Sequence, residues 1–140
     1  MILVDTSIWS LALRRQAAAL SAEEERVVGE WARLVAEGMA ALIGPIRQEI
    51  LYGIRRLDAF RALRRTLLDF PHLSIAAEDY DRAAEFFNVC RARGVTGGPI
   101  DMLISSVAYR HAIPVFAVDT DYVMYARHLP LRLHLPRPSR

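Results

Sequence analysis

The chain has 140 residues, 53% of them apolar and 24% charged, with a formal net charge of +2, which suits one domain with a full hydrophobic core. Its longest apolar stretch, Met39 to Ile46, is interrupted by Gly44 and Pro45 and is far short of the roughly 20 residues that span a bilayer. The first apolar run starts at Ile2 and meets Asp5 with no basic segment before it, unlike a secretory leader, so the expected location is cytoplasmic with no membrane partner.

In chain order, "ILVD" reads as a short buried strand, and a helical pattern runs from Thr6 to about Arg15. "SAEE" (Ser21 to Glu24) is a capping box that opens a second helix, carrying Val27, Val28, Trp31, Leu34 and Val35 at helical spacing and ending at Gly38. "AALIG" (Ala40 to Gly44) is a second strand, and Pro45 then starts a helix through "IRQEILYGI". A basic amphipathic helix covers roughly Asp58 to Asp69 and is broken by Pro71. "HLSIA" is a third, weak strand. The helix "AEDYDRAAEFFNVCRARG" has an acidic start and a basic finish, matching the macrodipole, and stops at Gly94. A glycine turn, Pro99 and "IDMLISSVAYRHA" form the next helix, followed by the apolar strand "PVFAVD", a short helix "TDYVMYARHL", and an alternating edge strand "LRLHL". The tail from 136 to 140 is expected to fray. Residues 1–140 thus predict a single α/β domain of three α/β/α layers, with a central, mainly parallel sheet.

Ligand crevices in such sheets open at the carboxyl ends of the strands. Two strands end there in aspartate, at Asp5 and at Asp119, with Asp121 close by. Glu49 lies early in the helix after the second strand, and Asp101 lies in the first turn of the Pro99 helix, behind Gly97 and Gly98. Taken singly, Asp5 and Asp119 could be helix caps, Asp101 a favourable first-turn acid and Glu49 a solvated residue. Their joint placement among apolar segments argues for a shared crevice. By contrast Glu23, Glu24 and Glu25, and likewise Glu78, Asp79 and Asp81, read as solvated first turns. Converging carboxylates repel and need a cation. All-oxygen ligation without Cys or His suits a hard ion, Mg²⁺ or Mn²⁺. Such an ion can lower the pKa of an attacking water and neutralise a departing oxygen. Thr6, Ser7 or Thr120 could add a hydroxyl.

With these residues in place, the sequence resembles the PIN-domain ribonucleases, specifically the VapC-type toxins of toxin–antitoxin pairs. The matching stretches are "VDTSIW" from residue 4, "RQEILYGI" from 47, "GGPIDMLISSVAYRHAIPV" from 97 and "AVDTDY" from 117. The resemblance implies metal-binding and catalytic roles for Asp5, Glu49, Asp101 and Asp119, with Asp121 sharing or replacing the last. It implies a Mg²⁺- or Mn²⁺-dependent endoribonuclease that leaves a 5′-phosphate and a 3′-hydroxyl. It also implies an RNA substrate, a homodimer, and silencing by a cognate VapB-like antitoxin. Tyr122 stands where the family often has phenylalanine.

Arg55, Arg56, Arg61, Arg64 and Arg65 in "GIRRLDAFRALRR" are candidate contacts to an RNA backbone, or else a solvated helix face. Trp9, Leu11, Leu13, Trp31 and Leu34 line either a partner groove or the core. His72, His111, His128 and His134 have no metal-ligand spacing. Cys90, the one cysteine, reads as a reduced core thiol. Two rival readings remain: a phosphotransfer protein of haloacid-dehalogenase or receiver type, and a non-catalytic RNA-binding module of the same fold. The first resembles families that need a lysine beside the aspartyl phosphate. Every one of the 18 basic residues here is arginine, and the DxD segment comes late in the chain.

Overall fold

Three short strands form the sheet, and each is buried on both faces. Strand β1 (Ile2–Val4), β2 (Ala40–Ala41) and β3 (Val115–Phe116) are parallel, in the order β2-β1-β3. The register pairs Leu3 with Ala41 on one side and with Val115 on the other. The computed structural model describes residues 1–14 and 19–137.

Seven helices occur among the described residues: α1 (Thr6–Arg14), α2 (Ala22–Ala36), α3 (Gly44–Leu51), α4 (Leu57–Leu67), α5 (Ala77–Ala92), α6 (Pro99–His111) and α7 (Asp121–Ala126). The Ser21–Glu24 capping box opens α2 with both reciprocal bonds at 3.1 Å. Gly38 closes α2 at φ +69°, a conformation that costs a side-chain residue energy but not glycine. Pro45 lies in the first turn of α3 and Pro99 in that of α6, where a missing N–H costs nothing.

The two weak strands are reduced to single bridges. His72 pairs with Leu42, and Leu133 pairs with Val115, both in parallel sense. Proline explains the brevity. Pro71 precedes the first bridge, while Pro130 and Pro136 bracket the second, and none can donate to a ladder. Counting these bridges, the sheet order runs His72, β2, β1, β3, Leu133. The chain moves outward from β1 to His72 and then jumps back across β1 to β3. Right-handed crossovers therefore put α1 to α4 on one face and α5 to α7 on the other.

The core joins Leu3, Val4, Ile8, Trp9, Leu34, Ile43, Ile46 and Ile50 with Phe116, Tyr122 and Tyr125, all buried. Trp9 is fully buried, donates its indole N–H to the Val4 carbonyl at 2.9 Å, and meets Trp31 and Phe70 edge to face. Together with buried Leu11 and Leu34, this settles the Trp9 group as core. Cys90 is also buried, and burial pushes its thiol pKa up.

One expectation, on charge, needs correction. Asp79 is not a solvated first-turn acid: it is fully buried. It accepts the Ala76 N–H at 2.8 Å, which caps α5, and pairs with Arg110 at 2.8 Å and Arg82 at 3.2 Å. The α5–α6 packing surrounds its carboxylate with enough donors to replace water. At the chain end the Arg137 N–H reaches the buried Glu30 carboxylate at 3.4 Å. Residues 138–140, and Arg15 at the expected end of the first helix, lie outside the described residues.

Candidate active site

The switch in strand order falls at β1, whose neighbours β2 and β3 are reached by crossovers in opposite directions. Asp5 follows β1 directly. It is 7% exposed, and its backbone N–H donates to the Phe116 carbonyl at 2.8 Å, fixing the β1 and β3 ends together. Its Oδ2 accepts the Ser7 N–H at 3.0 Å and the Ser7 hydroxyl at 2.6 Å. The cap geometry considered from sequence is thus present, and Asp5 Oδ1 remains turned to another partner. That partner is Tyr122 of α7, whose hydroxyl lies 3.0 Å from Asp5 Oδ1.

The same hydroxyl is 3.2 Å from Asp101 Oδ1, and Tyr125 donates to Asp101 Oδ2 at 2.9 Å. Asp101 is half-buried in the first turn of α6. This contact confirms that α6 begins at the edge where β1 ends. Burial raises the Asp101 carboxyl above the usual carboxylate range. The charges of Asp5 and Asp119 push the same way, while the Tyr125 and Tyr122 hydroxyls oppose them. Both phenols are held well above their ordinary value, chiefly by burial and then by the carboxylates they face. They are therefore neutral donors at any ordinary pH. A phenol carries one proton, so Tyr122 can donate to only one of its two carboxylates at a time.

Asp119 stands beyond β3, exposed, and accepts the Asp121 N–H at 2.9 Å in a turn that starts α7. Its charge helps raise Asp101, that of Asp121 helps raise Tyr125, and both acids are exposed. Glu49 is half-buried on α3, the helix that leaves the same sheet edge after β2, and among the described residues no contact joins it to the other three acids. Among the described residues, no group of three or more His, Cys, Asp or Glu side chains is placed to hold a metal ion as it stands. Ser7 also ties the two strand ends, accepting the Val118 N–H at 3.4 Å. Thr6 Oγ1 is buried without a hydrogen-bond partner.

Three features bear on a cation. The donor set is all oxygen. Among the described residues, no arginine or histidine pairs with Asp5, Asp101 or Asp119, although Glu30 and Asp79 elsewhere are both paired. Thr6, next to Asp5 in the chain, has a hydroxyl that is buried without a hydrogen-bond partner among the described residues. In donor type, though not in their present spacing, these residues suit a hard divalent ion. Tyr122 and Tyr125 carried no signal that pattern-reading could use, because tyrosines on a short helix after a strand usually read as core.

Helix α4 carries the remaining candidates. Arg55, Arg56, Arg61, Arg64 and Arg65 are all exposed on or beside it, and only Arg56 has an ion pair among the described residues, to Asp58 at 2.8 Å.

A parallel sheet whose β1 end brings an aspartate against the N-terminus of a later helix defines a class of proteins, and comparison with known proteins identifies it. The family model described as PIN domain matches residues 2–127, and the chain belongs to the PIN-domain family. Within it the chain falls with the VapC proteins. VapC ribonuclease Mb1587 of Mycobacterium bovis and ribonuclease VapC11 of Mycobacterium tuberculosis are each 32% identical over 129 residues, 91% of this chain and 92% of each relative. Among solved structures, FitAcB of Neisseria gonorrhoeae superposes with a TM-score of 0.71 at 19% identity, over 97% of this chain and 98% of that one. VapBC2 of Rickettsia felis, bound to a promoter DNA fragment, gives 0.71 at 16% identity, over 96% and 98%. At such identities the likeness is one of fold. The phosphotransfer alternative gains nothing from these comparisons. In this chain no helix among the described residues is long and apolar enough to cross a membrane.

Proposed function

We propose that this protein is a divalent-metal-dependent endoribonuclease, the toxin of a type II toxin–antitoxin pair, and that it hydrolyses RNA phosphodiester bonds. One observation carries the reading: Asp5 and Asp101 share a single tyrosine hydroxyl, with Asp119 within electrostatic reach and no protein cation among the described residues to offset them. Two ribonuclease relatives at 32% identity support it.

Asp5, Asp101 and Asp119 would hold Mg²⁺ or Mn²⁺, with Glu49 as a fourth ligand and Asp121 as a partner or substitute for Asp119. When bound, the ion supplies Lewis acidity, offsetting phosphate charge and making a water more acidic. The chain's own residues do the rest. Ser7 fixes the orientation of Asp5 through two hydrogen bonds. Thr6 or Ser7 would orient the attacking water or bind phosphate, and Thr6 Oγ1 has no hydrogen-bond partner within the protein among the described residues. The exposed arginines of α4 offer planar donors to the RNA backbone. Among the described residues no arginine or histidine pairs with Asp5, Asp101 or Asp119, so an antitoxin segment of VapB type could silence the site by covering the crevice and placing an arginine among the carboxylates. We place the active form as a homodimer.

The test is cleavage of an RNA pool with Mg²⁺ or Mn²⁺, comparing the wild type with Asp5→Asn and Asp101→Asn. Cleavage is expected only with the metal, to stop in EDTA, and to fall by at least about 100-fold in either variant. Cleavage that survives both EDTA and the substitutions overturns the metal-nuclease reading, whereas RNA binding with no cleavage under any of these conditions favours the non-catalytic RNA-binding alternative.

A further inference from the structure

Building on that reading, we propose that Tyr122 is a positioning residue whose hydroxyl bridges Asp5 and Asp101, keeps the two carboxylates together, and stands in for a divalent ion while none is bound. The geometry is specific. Tyr122 is 1% exposed, and its hydroxyl touches Asp5 Oδ1 at 3.0 Å and Asp101 Oδ1 at 3.2 Å.

Every other side-chain donor at the pair, among the described residues, touches one carboxylate only. Ser7 serves Asp5 Oδ2, and Tyr125 serves Asp101 Oδ2. Those donors orient each acid by itself but do nothing to hold the two together. Of these hydroxyls, that of Tyr122 alone lies between them. Its position is fixed from the outside, since the ring packs edge to face on Tyr125 with centroids 5.3 Å apart. The phenol proton goes to one Oδ1 at a time while the hydroxyl stays within reach of both, and each carboxylate oxygen, with two lone pairs, keeps a second site open. The bridge therefore sets the pair without consuming it.

This role has a thermodynamic signature. Removing the hydroxyl leaves two partly buried carboxylates facing each other, which costs stability when no cation is present. A bound cation supplies the missing positive charge, so the cost should shrink once it binds. Loss of ring packing would behave differently, because it costs the same with or without a cation.

The experiment is a melting cycle with Tyr122→Phe, which keeps the ring. In EDTA the variant is expected to melt roughly 5 °C below wild type, the loss typical of a hydrogen bond to a charged group in a chain of this size. In saturating Mn²⁺ the gap is expected to fall below about 2 °C, with Mn²⁺ binding at least as tightly as to wild type. A second arm repeats the EDTA measurement in an Asp101→Ala background, where only one carboxylate remains and the loss is expected to halve or better. Equal losses in EDTA and Mn²⁺, or an undiminished loss in the Asp101→Ala background, overturn the bridge. If Mn²⁺ moves neither protein, the metal reading itself falls, and the Asp101→Ala arm then decides the bridge without it.

Discussion

Asp101 shows how a single residue can be costly to the fold and still be kept. It lies half-buried, faces Asp5 across one hydroxyl, and is held above the usual carboxylate range by burial and by like charge. In the metal-free protein its ionised form is a net liability. Asp101→Asn keeps the shape, and an amide can accept from one tyrosine hydroxyl and donate to the other. The substitution is therefore expected to raise the melting temperature in EDTA by about 2 °C while abolishing cleavage, the usual exchange of stability for function at a site of converging charge. A melting temperature that falls instead would mean that Asp101 serves the fold first. The sequence marked Asp5, Asp101 and Asp119 because each interrupts an apolar segment at a junction. It could not separate Asp79 from its neighbours Glu78 and Asp81. What distinguishes Asp79 is Arg110, 31 positions away, and that pairing exists only once α5 and α6 pack.

At the level of elements, local signals were dependable wherever one residue type forces a conformation. The Ser21–Glu24 box, Gly38, Pro45 and Pro99 each set a helix end where expected. Strands were harder to read. "HLSIA" and "LRLHL" have strand-like composition, but neighbouring prolines leave each with a single bridge. Helix α4 is the element whose purpose its sequence states most openly, since it is amphipathic and its basic face is solvated. If that face tracks RNA, replacing Arg61, Arg64 and Arg65 together by Ala should weaken RNA binding. It should also flatten the dependence of log K on log salt by up to about 2, at roughly 0.7 per single-strand phosphate contact. Alanine is the best helix former, and these side chains are exposed, so the melting temperature should not move by more than about 2 °C. An unchanged salt slope would assign the face to solvation alone.

On the scale of the whole molecule, the sheet order was legible in outline, because alternating strands and helices imply a parallel sheet with its crevice at a switch in order. How the two helical layers and the chain end are tied down was not, because the ties are buried carboxylates meeting partners distant in sequence. Asp79 locks α5 to α6 through Arg110. Glu30 of α2 is 5% exposed, pairs with Arg33, receives His134 at 3.1 Å, and accepts the Arg137 N–H. Burial works against the charge on Glu30, but hydrogen bonds from Arg33, His134 and Arg137 overcome it and hold its pKa at about 2, while Asp79 is likewise held low by Arg110 and the Ala76 N–H. Both groups are more acidic folded than unfolded. Their contribution is therefore fully present above the unfolded value near 4 and is lost as pH falls through the folded one. Stability should be flat from about pH 7 to 5 and should drop steeply between about pH 4.5 and 2. Glu30→Gln removes one of the two titrating groups. Its acid limb should be shallower than that of wild type, even though the variant starts lower at pH 7 by about 2 kcal/mol, because Arg33 then lacks its charged partner. Urea midpoints measured from pH 7 to 2.5 on both proteins check this. Parallel acid limbs would show that Glu30 does not anchor the tail through its charge.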